Sequence, residues 1–132
     1  MFTIKKYKTL DYDMIKSWWD LQNEIGPTKE MLPLESTYIL CLKDKPILCV
    51  SLYFTNIKEY CYIECFVGNP DAKGLARREG TKILFDYICA VAKQKGYKKV
   101  VCLSHNEVLT KYYMSLGLNP TLTNVTTFCK VL

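Results

Sequence analysis

No apolar run in the sequence approaches the ~20 residues that a membrane-spanning helix needs, so a helical membrane protein is not expected. A single histidine, His105, and the lack of any Cys-x-x-Cys pair leave little for a zinc site, and no metal is expected. The seven cysteines, at 41, 49, 61, 65, 89, 102 and 129, are odd in number and mostly sit in apolar runs. There free cysteine acts as a small hydrophobe, which suits a reduced, cytoplasmic protein. The spacing of Cys61 and Cys65 would put them on one face of a strand, where buried packing is the expected explanation. The stretch Met1 to Leu10 lacks the apolar block of a signal peptide and reads as structure. Internal repeats, low-complexity stretches and linkers are also missing. The expectation is a single domain over 1–132, long enough to bury roughly two-thirds of its unfolded surface.

What is present is a positive charge of +5 with a definite location. Between Pro70 and Val100 lie eight cations (Lys73, Arg77, Arg78, Lys82, Lys93, Lys95, Lys98, Lys99) against Asp71, Glu79 and Asp86, and this stretch carries the whole excess. Lys93 to Lys99 read as a solvated face near a helix C-terminus. Arg77 and Arg78, close to a helix start, suit a phosphate-bearing ligand. The cluster is short and lacks a groove-reading motif, so nucleic acid is not the expected partner.

Periodicity sets out the elements. Phe2 to Tyr7 alternates as a strand; Asp11 or Asp13 can cap a helix carrying Met14, Ile15, Trp18, Trp19 and Leu21, with Gly26-Pro27 as its stop. Residues 28–35 form a polar connection with a short helix around Lys29 to Leu32. Three strand-like runs follow, Thr37 to Leu42, Ile47 to Phe54 and Tyr60 to Val67, separated by turns at Lys43-Asp44-Lys45-Pro46 and Thr55-Asn56. A long helix is expected over Gly80 to Lys95, with Ile83, Leu84, Tyr87, Ile88, Val91 and Ala92 as its apolar stripe and Gly96 as its stop. Val100 to Leu103 reads as a central strand parallel to the one before the helix. A second helix over Glu107 to Leu116 and a final strand around Thr126 to Val131 complete the chain. The fold class is α+β, a central mixed and mostly antiparallel sheet flanked by helices.

Three local features sharpen this order. The strand Tyr62-Ile63-Glu64-Cys65-Phe66-Val67 is followed by Pro70. A loop leads into Gly80-Thr81-Lys82-Ile83-Leu84. Asn106-x-x-Leu109-x-x-x-Tyr113-x-x-x-Gly117-Leu118 follows on the last helix, its Asn and Tyr two turns apart on one side. Together, over residues 36 to 118, these resemble the GNAT superfamily of N-acetyltransferases: the fourth strand that leads into the cofactor loop, the end of the pyrophosphate signature, and the Asn-x-x-Ala-x-x-x-Tyr-x-x-x-Gly-Phe element. The size and the Asn69-Pro70 pair also resemble small GNAT-like proteins of bacteriophage genomes.

The resemblance implies acetyl-CoA as co-substrate and direct transfer of its acetyl group to a primary amine in a ternary complex, the amine belonging to a small molecule or a peptide. It implies Tyr113 as the acid that protonates the departing thiolate, against the alternative that Tyr112 and Tyr113 are ordinary packing residues. Glu64 matches the position of a general base, against an exposed edge glutamate. Phe66 and Val67 would bind the pantetheine arm through backbone amides, and Arg77, Arg78, Gly80, Thr81 and Asn106 would complete the cofactor site. The loop departs from the family pattern Arg/Gln-x-x-Gly-x-Gly/Ala. Either Gly80 is the last glycine, with Arg78 on the first, or Gly74-Leu75-Ala76 is the Gly-x-Ala and the helix starts early. Around the acceptor, Trp18, Trp19, Glu24, Glu30 and Glu35 stand out, one tryptophan as core and the other as a substrate wall, with the carboxylates favouring a cationic amine. The rival readings are a GNAT-fold module that binds acyl-CoA or a protein without turnover, and a thiol enzyme whose cysteine has no placed histidine. A homodimer stays open.

Overall fold

The computed structural model describes residues 1–104 and 107–132. Its elements run β1 (Phe2–Lys6), α1 (Tyr12–Leu21), β2 (Thr37–Leu42), β3 (Lys45–Tyr53), β4 (Cys61–Gly68), α2 (Leu75–Gln94), β5 (Val100–Val101) and α3 (Glu107–Ser115), with single 3₁₀ turns at Thr9–Asp11 and Lys29–Met31. The strands form one sheet in the order β1-β2-β3-β4-β5. The first three pairings are antiparallel and β4–β5 is parallel, as the expected crossover through a helix requires.

The sheet is covered on both faces, which explains why β2 and β3 are apolar at nearly every position. Along β2, Ile39 and Cys41 face α1, joined by Cys49 of β3, Ile15, Trp18, Trp19 and Val67. The alternate residues Tyr38, Leu40, Leu48, Val50 and Leu52 face Leu84, Phe85 and Ile88 of α2. Three buried hydroxyls of this layer are satisfied: Thr37 Oγ1 and Ser51 Oγ share a 2.8 Å bond, and Ser36 Oγ donates to the Leu52 carbonyl at 2.6 Å.

Several boundaries differ from expectation, each for a local reason. The β2–β3 turn has Lys43 and Asp44 both at positive φ (50° and 66°), the twist that a two-residue hairpin needs. α1 ends before Gly26-Pro27: Asn23 adopts φ 56°, a left-handed conformation that asparagine tolerates, and its N–H donates to the Asp20 carbonyl. Asp11 accepts from the Lys8 N–H at 2.9 Å, closing the 3₁₀ turn rather than capping α1 through its side chain.

α2 begins at Leu75, five residues ahead of the expected Gly80, with Gly74 as its N-cap at φ 73°, ψ −144°. That region is open essentially to glycine alone. The buried stripe of α2 is Gly80, Thr81, Leu84, Phe85, Ile88 and Ala92, so Phe85 takes a core place while Ile83 and Tyr87 lie on the exposed shoulder. β5 is two residues long rather than four. The expected strand at Thr126 to Val131 does not form: residues 118–132 hold no helix or strand, and Phe128 and Val131 are about fully exposed at 92% and 90%.

Candidate active site

β4 carries the irregularity that builds the site. Ser51 pairs with Glu64 and Cys49 with Val67, so Val50 alone stands opposite Cys65 and Phe66. Cys65 is the extra residue of a β-bulge, at φ 56°. The insertion breaks the alternation of the strand. Cys61 and Ile63 face α2; after the bulge it is Phe66 that packs there, edge-on to Phe85 at 5.5 Å, while Cys65 and Val67 turn to the α1 side.

On its other side β4 pairs with β5 only at Cys61 and Tyr62. β5 ends at Val101, so β4 has no β5 partner beyond Tyr62, and a cavity of about 1020 Å³ opens beside it. Its floor is Ile63 to Gly68. One wall comes from the end of α1 and the following loop, with Trp19, Gln22, Glu24 and Met31; the other comes from Leu103 and α3, with Val108, Tyr112 and Tyr113; Arg77 and Arg78 of α2 complete it.

Six of the sequence-predicted residues meet here: Glu64, Phe66, Val67, Arg77, Arg78 and Tyr113. Glu64 is exposed at the cavity, so the strand bears no buried carboxylate. Tyr113 is only 8% exposed and lies 5.9 Å from the Phe85 ring. Burial, with a smaller contribution from Cys102, pushes its phenol above the ordinary tyrosine value and holds it protonated.

Gly80 and Thr81 do not meet the others. They lie within α2, buried against the sheet, and Thr81 Oγ1 donates to the Arg77 carbonyl. An added Cβ at Gly80 would stand 2.7 Å from Leu40 Cδ2, so this glycine serves helix–sheet contact. The second alignment of the loop, Gly74-Leu75-Ala76, is the one the helix start follows. Asn106 lies outside the described residues.

Trp18 and Trp19 are both buried, and Trp19 is the one that reaches the cavity, its ring tight under Gly26. Glu24 lines the cavity. Glu30 and Glu35 do not, Glu35 lying 3.9 Å from Lys6.

Three participants escaped the sequence reading. Gln22 Nε2 donates to the carbonyls of Trp18 (2.8 Å) and Gly68 (3.1 Å), tying α1 to the end of β4. Gly68 itself gives way to the Arg77 side chain. Cys65 lies 3.2 Å from the Tyr53 hydroxyl, which donates to the Met31 carbonyl at 2.8 Å. The one tyrosine proton is thus committed to Met31, which leaves the thiol as donor to Tyr53. Only the glycine before Asn69-Pro70 was visible as a signal, since the other two depend on partners far away in sequence.

Burial pushes the Cys65 thiol up, and pushes Cys102 up to about 11. Cys41, Cys49, Cys61 and Cys89 shift the same way. These thiols are held in their un-nucleophilic form, which runs against a thiol enzyme. Among the described residues no three His, Cys, Asp or Glu side chains gather as a metal site, and no helix is long and apolar enough to cross a membrane.

Arg77 and Arg78, which line the cavity, belong to the first turn of α2. The first intrahelical bond runs from the Arg78 N–H to the Gly74 carbonyl, so Leu75, Ala76 and Arg77 have N–H groups with no intrahelical acceptor. Gly74 offers no side-chain cap. Neither Arg77 nor Arg78 forms an ion pair among the described residues. Free amides, the helix dipole and two guanidinium groups make this turn attractive to an anion.

No protein-family model and no curated protein matches the sequence. Solved structures match the fold. The N-acetylglutamate synthase of Neisseria gonorrhoeae, in complex with coenzyme A and N-acetyl-glutamate, has a TM-score of 0.72 and 18% identity over 87% of this chain. The chain spans about a quarter of that protein, 27%. An aminoglycoside acetyltransferase from an uncultured soil metagenomic sample, in complex with sisomicin, gives 0.69 and 13% identity over 99% of this chain and 97% of its own. The glucosamine-6-phosphate N-acetyltransferase of Arabidopsis thaliana gives 0.66 and 15% over 98% and 99%. Nothing in these likenesses touches the resemblance to bacteriophage proteins. The fold of this chain is that of the GNAT acetyltransferases.

Proposed function

We propose that the chain is an acetyl-CoA-dependent N-acetyltransferase acting on a primary amine. The observation that carries this reading is one cavity lined by a protonated tyrosine, an exposed carboxylate and two arginines in the first turn of α2, beside the stretch of β4 that β5 leaves unpaired. The chain's own groups fit coenzyme A. The amides of Leu75, Ala76 and Arg77, with the Arg77 and Arg78 side chains, would hold its phosphates. The β4 backbone beyond Tyr62, unpaired on its β5 side, would hold the pantetheine arm near Phe66 and Val67. The compared N-acetylglutamate synthase carries coenzyme A, which supports the same ligand here.

Bound acetyl-CoA would supply an acetyl group activated as a thioester, released to a neutral amine with departure of the thiolate. Glu64, exposed at the cavity, would accept the proton the amine must lose, directly or through water. Tyr113 holds a proton at Oη for the leaving sulfur, and its burial keeps that proton in place at neutral pH. Backbone N–H groups beside the bulge are candidates to polarise the thioester carbonyl. Glu24 and Glu64 are the carboxylates lining the cavity, so a cationic amine on a small molecule or peptide is the favoured acceptor.

A second reading, a module that binds acyl-CoA without turnover, is favoured by the loop, in which Asp71 stands three residues before Gly74 where the family pattern has Arg or Gln. Calorimetric titration with acetyl-CoA and coenzyme A, followed by thiol release with a panel of amines, separates the two. Micromolar one-site binding with amine-dependent thiol release is expected. Binding with no release by any amine would favour the module, and no binding up to millimolar would overturn both.

A further inference from the structure

The last residue of β4 and the first turn of α2 meet side to backbone. An added Cβ at Gly68 would stand 2.3 Å from Arg77 Nη2, 2.5 Å from Cζ and 2.7 Å from Nε. All three distances are far inside van der Waals contact, so the guanidinium lies across the Gly68 backbone in the space a side chain would fill. Gly68 is buried and its φ is not in the left-handed region, so the backbone there does not itself require glycine. What its missing side chain supplies is room.

The seat is also held still. The Gly68 carbonyl accepts from Gln22 Nε2, Gly68 pairs with Leu48, and the next residue, Asn69, donates its N–H to the Ile47 carbonyl at 2.8 Å. Arg77 is half-buried, lines the cavity and has no ion-pair partner among the described residues. A half-desolvated cation without a counter-charge is costly, and the cost is relieved when an anion arrives.

We propose that Gly68 is a positioning residue that seats the Arg77 guanidinium in the cavity wall, where it and the free α2 amides grip a phosphate-bearing ligand together. The proposal rests on the acetyl-CoA reading above. It places the grip that the family's loop usually supplies through bare backbone partly on a pre-seated side chain. A guanidinium already desolvated and oriented loses less freedom when it binds.

The test compares two ligands and three variants by calorimetry. Coenzyme A carries the phosphates; acetyl-pantetheine carries the thioester arm without them. Gly68→Ala, whose backbone conformation any residue accepts, should keep the fold but push the guanidinium aside, weakening coenzyme A about tenfold while leaving acetyl-pantetheine unchanged. Arg77→Ala should weaken coenzyme A by a similar factor, and Gly68→Ala added to it should do nothing more. Wild-type affinity for coenzyme A in Gly68→Ala would overturn the proposal, as would a further tenfold loss in the double variant or equal loss for acetyl-pantetheine. Should Gly68→Ala fail to fold, Arg77→Ala alone decides: unchanged coenzyme A binding refutes the seat. Failure of the wild type to bind coenzyme A would instead sink the acyltransferase reading itself.

Discussion

Replacing Gly80 with alanine tests where α2 begins and what its glycine is for. The structure puts Gly80 in the interior of the helix, facing the sheet, with the new Cβ 2.7 Å from Leu40 Cδ2 and 3.2 Å from both Ile47 Cδ1 and Phe2 Cε1. Two effects oppose each other. Alanine in a helix interior is favoured over glycine by about 1 kcal/mol. Against it, Leu40 is fully buried and cannot swing clear, and overpacking of this kind costs about 1–3 kcal/mol. The contact should win, leaving Gly80→Ala about 1 kcal/mol less stable, which lowers the melting temperature by roughly 3–5 °C in a chain of this size. Gly80→Val, with two more methyl groups and a poorer helix former, should lose clearly more. Urea unfolding midpoints measure both, and calorimetry with coenzyme A should find the affinity of Gly80→Ala nearly unchanged. A variant that is more stable than wild type yet binds coenzyme A weakly would refute the reasoning. It would mean that Gly80 belongs to the ligand loop and the helix starts there.

Tyr113→Phe keeps the buried ring and removes only the proton, so turnover should fall by about 10²–10⁴-fold with coenzyme A binding intact. Because burial raises the Tyr113 value, the acid is lost only above the ordinary ~10 of tyrosine; an alkaline limb near pH 8 that vanishes in Tyr113→Phe would contradict this. Tyr7 is buried with no hydrogen-bond partner for its hydroxyl among the described residues, so Tyr7→Phe should match or exceed wild-type stability by up to about 1 kcal/mol; a loss of that size in urea titration would reveal a partner for the hydroxyl. Deleting residues 120–132, all exposed, should shift the unfolding midpoint by no more than about 0.5 kcal/mol, and a larger drop would show that the tail packs on the body.

The periodic elements were legible because each carries its own signal. Ile15, Trp18 and Trp19 repeat at helical spacing, and the apolar runs of β2 and β3 announce strands covered on both faces. The spacing that singled out Tyr113, the strand that presents Glu64, Phe66 and Val67, and the charge surplus around Arg77 and Arg78 all led to the same cavity. The assignment of Gly80 and Thr81 to the ligand loop failed for an instructive reason. A glycine that lets a helix approach a sheet and a glycine that bares its amide to a phosphate are the same letter.

From the sequence alone came the α+β class, the succession of strands and helices, and the basic stretch between Pro70 and Val100. These follow from composition and from periods of two and 3.6, which any short window reports. The tertiary structure alone decided the start of α2 at Leu75, the bulge that turns Cys65 to the α1 side, the end of β5 after two residues beside β4, and the seat of Arg77 on Gly68. Each of these is a relation between segments far apart in the chain: a register set by the opposite strand, or the room left by a side chain that is not there. Neither leaves a trace in the local pattern, because the cost of a mismatch is felt only when the two surfaces meet.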